Sequence, residues 1–70
     1  MNLELLKRER IKKGLSQKRM AEELGFRDKS SYCLIENGKT QISVPLMNKI
    51  IKVLNLSTEL TIEIFVANKV

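Results

Sequence analysis

The sequence predicts an all-α fold, a compact bundle of four to five short helices, and three observations carry that reading. Apolar residues recur at three- and four-residue spacing in short segments, as they do along a helix with one buried face. These segments open on Ser or Asp and several close on Gly, the residue types that start and stop helices. With 70 residues the chain holds one domain, 1–70, and its 43 % hydrophobic content is enough to pack a small core.

The first segment, LELLKRERIKK over residues 3–13, is read as a helix in which Leu3 and Leu6 share a face with Arg10, and Gly14 ends it. Ser16 is placed to cap a second helix over QKRMAEEL, with Met20, Ala21 and Leu24 as its apolar stripe. Gly25 stops that helix, because a reversal there needs a positive φ that glycine adopts without a Cβ clash. Asp28 is the N-cap expected for a third helix from Lys29 to Asn37, with Tyr32 and Ile35 facing inward, and Asn37-Gly38 ends it. Ser43 then caps a fourth helix that carries Pro45 in its first turn, where a missing N–H costs little. Val44, Met47, Ile50, Ile51 and Leu54 are its expected buried set. The last segment, STELTIEIFVANKV, is read as a helix capped by Ser57 or Thr58, although Ile62, Ile64 and Val66 alternate as strand residues do. No internal repeat, low-complexity tract or linker interrupts the sequence.

Composition narrows the function classes. There is no His and only one Cys, so His-based acid–base catalysis, a Cys-His nucleophile and a Cys/His zinc site all lack their residues. No metal, cofactor or small-molecule ligand is expected. A lone cysteine cannot form an internal disulfide, and no apolar run approaches the roughly 20 residues of a membrane span, so a soluble, cytoplasmic protein is expected. The formal charge of +5 turns attention to polyanions. Only Phe26, Tyr32 and Phe65 are aromatic, too few for a single-strand stacking platform.

The second and third helices meet across a short turn. Ala21 is small where another helix can cross closely, and Tyr32 and Ile35 anchor the third helix while Lys29, Ser30 and Cys33 turn outward. This is a helix-turn-helix plan, in which the second helix of the pair enters the DNA major groove. The ordered strings GLSQ, MAEELG, LIENGK and KVLNLS resemble the Cro and phage-repressor type of helix-turn-helix domain, the Xre family, from about Leu3 to Ser57. The resemblance implies a lambda-repressor-like fold. Between Gly25 and Glu36 this chain has one residue more than the usual pattern, placed in the turn at Arg27 or Asp28.

The resemblance also explains a carboxylate, Glu36, beside the surface expected to meet an anion. In this family the corresponding Glu pairs inward with an Arg of the first helix, here Arg10, and so clamps the recognition helix; the alternative is a carboxylate accepting from cytosine N4. Gln17 lies at a helix N-terminus suited to phosphate, and the resemblance assigns it a backbone or base contact. Lys29 and Ser30 open the recognition helix, and Lys can donate to guanine. Leu34 matches a base-contacting position, with core packing as its alternative, and Cys33 is a small half-exposed filler on the same helix. Asn37, Lys39, Thr40 and Gln41 form the loop that in the family grips phosphates.

Double-stranded DNA is therefore the expected partner. The expected protein is a transcriptional regulator, a repressor, acting as a homodimer on a near-palindromic operator and associated with the nucleoid when bound. The C-terminal segment 58–70 is the expected dimerisation element through Ile62, Ile64, Phe65 and Val66, the alternative being that it packs back on helices 1 and 4. A second function class is a protein-partner module, an antitoxin or anti-repressor, that keeps the fold and engages its partner through the apolar tail.

Overall fold

The computed structural model describes residues 1–66. The chain forms α1 (Leu3–Lys12), α2 (Gln17–Glu23), α3 (Lys29–Glu36), α4 (Val44–Leu54) and α5 (Thr58–Thr61), the last widening into a π-helical turn over Ile62–Val66. No strand occurs among the described residues. The alternation of Ile62, Ile64 and Val66 is thus helical in origin, and residues 67–70 of the expected dimerisation segment lie outside the described part.

Every helix begins on a side-chain cap. The oxygens of Asn2, Ser16, Asp28, Ser43 and Ser57 accept from the backbone N–H three residues on, at 3.1, 3.0, 3.3, 3.3 and 3.1 Å. Each such cap contributes about 1 kcal/mol by satisfying an otherwise orphaned donor. The helix ends are equally defined. At the end of α2 the Gly25 N–H donates to the Glu22 carbonyl and the Phe26 N–H to the Ala21 carbonyl, a Schellman closure that holds Gly25 at φ +84°. Asn55, at φ 50°, closes α4 in the same way through Leu56 N–H and the Ile51 carbonyl. Asn tolerates the left-handed region better than other residues that carry a Cβ.

The core comprises Leu6, Met20, Ala21, Leu24, Tyr32, Ile35, Ile50, Leu54 and Ile64. Ala21 is buried on α2, which packs on α3, and α1 packs against both α3 and the π-helical turn. The start of α1 is fastened to that turn by the Asn2 N–H, which donates to the Ile64 carbonyl at 2.7 Å.

Two expectations are corrected here. Val44 is 65 % exposed, and the core-facing stripe of α4 is Leu46, Ile50, Val53 and Leu54. The expected set shared Ile50 and Leu54 with this stripe but ran along its edge through Val44, Met47 and Ile51, of which the latter two are half-buried. Ile64 is fully buried within its own chain, so it belongs to the core and has no surface to offer a second copy. The segment does pack back on the bundle, and it does so through Ile64 and half-buried Phe65, while Ile62 and Val66 remain exposed.

Candidate nucleic-acid interface

The interface is organised around a buried charge cluster. Arg10 projects from α1, and Glu36 ends α3; their side chains are 8 % and 4 % exposed. Arg10 Nε donates to Glu36 Oε2 at 2.6 Å, with a longer second contact from Nη2 to Oε1 at 3.4 Å. Arg10 Nη1 donates to the Leu15 carbonyl at 2.6 Å, just ahead of the Ser16 cap. One planar guanidinium therefore ties α1, the turn before α2 and the end of α3, a task suited to its fixed fork of donors. Gln17 Nε2 completes the cluster by donating to Glu36 Oε1 at 3.0 Å.

Burial alone would push the Glu36 carboxyl up. The hydrogen bond and charge of Arg10, helped by the Gln17 amide, outweigh it and hold the carboxyl below its ordinary 4.5. Tyr32 is fully buried next to the pair, and burial and then the Glu36 charge push its phenol far up. Its hydroxyl nevertheless meets no partner at hydrogen-bonding geometry, alone among the buried polar side-chain atoms of the described residues. Buried polar groups are normally satisfied, so this oxygen is a small cost within the cluster.

With Tyr32, Ile35 and Glu36 turned inward, α3 presents the opposite face outward. Lys29, Ser30 and Asn37 are exposed, Leu34 is 45 % exposed and Cys33 is half-buried. These positions fall one turn apart along the helix, so they form a single face. The loop that follows places Lys39 and Gln41 at the surface and Thr40 half-buried. Leu34 thus lies on the outer face and outside the core, while the Asn37 amide leans back on Cys33 at 3.5 Å from its sulfur.

Two details alter what the sequence alone suggests. The Ser30 hydroxyl donates to Asp28 Oδ1 at 2.5 Å, so its proton is committed to the helix cap and only its lone pairs face outward. That bond, with the one from Ser31, lowers the Asp28 pKa and keeps a negative charge at the start of α3. The N-terminus of α3 therefore carries its own anion, which offsets the positive end of the helix dipole. Gln17 is half-buried and shares its amide with Glu36. Sequence reasoning missed that bond because partners 19 residues apart leave no local spacing signal.

Among the described residues no group of His, Cys, Asp and Glu can hold a metal ion, and no helix is long and apolar enough to cross a membrane. Neither a curated protein nor a solved structure matches the chain. The helix-turn-helix family model matches residues 6–60, which takes in the buried cluster, the outward face of α3 and the loop after it. The chain belongs to the Cro and phage-repressor type, Xre-like helix-turn-helix family of DNA-binding regulators.

Proposed function

We propose that the protein binds a specific site in double-stranded DNA and represses transcription there, as a homodimer on a near-palindromic operator. The outward face of α3 is the observation that carries this reading: Lys29, Ser30, Cys33, Leu34 and Asn37 line one side of a helix whose other side is locked into the core. Lys29 and Leu34 meet base edges, the first donating to guanine and the second touching a thymine methyl. Asn37, Lys39 and Thr40, with Gln41 beside them, position the protein on the phosphates. Gln17, with one amide N–H held by Glu36, has its second N–H left for a phosphate oxygen. The protein acts in the cytoplasm, on the nucleoid, as one domain with its C-terminal segment serving dimerisation.

The test is titration of the protein against its own upstream DNA and against random DNA over a range of salt. Specific binding is expected to exceed non-specific binding by about 10³-fold or more. Lys29→Ala should lower that ratio by about 1–3 kcal/mol at one base position, whereas Lys39→Ala should weaken all sequences alike and reduce the salt slope by about 1. Equal, feeble binding to both DNAs, indifferent to either substitution, would overturn the reading. The exposed Ile62 and Val66 would then favour the protein-partner module, an antitoxin or anti-repressor.

A further inference from the structure

Two helical surfaces are left without partners among the described residues, and they are complementary. On α1 the exposed residues are Glu4, Lys7, Arg8, Ile11 and Lys12, spaced as one helical stripe. They border a shallow depression of about 270 Å³ whose apolar element is Ile11, 56 % exposed. Three of the five are positive and one is negative. At the other end of the chain Glu59, Ile62, Glu63 and Val66 are exposed and also share one stripe, with Ile62 at 47 % and Val66 at 66 %. This stripe is acidic and carries two apolar side chains. Lys7, Arg8, Glu59 and Glu63 pair with no opposite charge among the described residues.

We propose that the C-terminal stripe of one copy seats on the α1 stripe of a second copy, with Ile62 and Val66 covering Ile11 and Glu59 and Glu63 facing Lys7 and Arg8. The inference rests on the homodimer reading above and names the surface that meets the C-terminal segment. A second copy is the occupant because each chain carries both halves. The acidic stripe repels another acidic stripe, and the basic one repels its own kind, so like does not pair with like. A two-fold axis forms the mixed contact twice, which is how an isologous interface closes without growing into a chain. The two stripes also lie on packed neighbours, since the Asn2 N–H at the start of α1 donates to the Ile64 carbonyl. Neither stripe includes a residue assigned to DNA.

Charge reversal separates this surface from any other. One variant is Glu59→Lys with Glu63→Lys; the other is Lys7→Glu with Arg8→Glu. Circular dichroism checks that each is folded, and sedimentation equilibrium reads the association. The wild-type protein should dimerise, more weakly as salt rises. Each variant alone should dimerise about tenfold more weakly or worse. An equimolar mixture should recover dimers, because both mixed contacts are then restored. Dimers in each variant as strong as wild type, or a mixture that stays monomeric, would overturn the proposal. So would a wild type that is monomeric at every concentration while still binding its operator specifically, an outcome that leaves the DNA reading standing and assigns the stripes to a different protein.

Discussion

The two ends of the molecule are held by different forces. At one end α1 and α3 are joined through a buried ion pair and a web of directed hydrogen bonds around Glu36. At the other the C-terminal turn is held by the burial of Ile64, the partial burial of Phe65 and a backbone bond from Asn2. Directed bonds fix an orientation, and apolar burial fixes proximity. The outward face of α3 must be presented at a set angle, whereas the C-terminal turn needs only to stay covered on one side.

The sharpest way to break the contrast is Glu36→Ala, which leaves Arg10 buried without its anion and should cost about 3–5 kcal/mol by urea denaturation. Acid should reproduce part of that loss. The folded-state pKa of Glu36 lies below its ordinary 4.5, so the unfolded chain binds the proton first. Stability contributed by this group is complete above that value and declines as pH falls through the folded-state pKa. In Glu36→Ala this part of the acid dependence should vanish, and an unchanged profile would remove the carboxylate from the account. Next in size, Ile64→Ala at the opposite end should cost about 2–4 kcal/mol, with no change in the acid dependence assigned to Glu36. A cost below about 1 kcal/mol would mean that the turn contributes little to the core. The smallest effect is expected from Tyr32→Phe. Removing a hydroxyl that has no partner at hydrogen-bonding geometry should be nearly neutral or slightly stabilising, and a loss above about 1 kcal/mol would show that the oxygen is satisfied in solution.

What could be read in the sequence follows the range of each interaction. Ser16, Asp28, Ser43 and Ser57 cap, and Gly25 closes α2, because capping acts over three or four residues and its chemistry is written locally. Val44 was misplaced because α4 carries two overlapping apolar stripes, and which one faces inward depends on the other helices. The C-terminal turn looked ambiguous because Ile62, Ile64 and Val66 alternate as strand residues do, whereas its inward residues are the adjacent Ile64 and Phe65, as a widened helical turn allows. Of the interface, the outward set on α3 was visible as a pattern, and the Arg10–Glu36 pair was visible through family resemblance. The Gln17 bond to Glu36 and the capture of the Ser30 proton by Asp28 were not, since both depend on three-dimensional placement.

The Arg10 fork has a consequence for genetics. Because one guanidinium holds the Leu15 carbonyl and Glu36 together, it sets the relative pose of α2 and α3 from inside the bundle, away from the outward face of α3. On the proposed reading of the α3 face, a screen scored by loss of DNA occupancy should therefore recover substitutions at Arg10 and Glu36 beside those at Lys29 and Lys39. Heat will sort them, because the first pair lose occupancy by melting and the second pair lose it while fully folded.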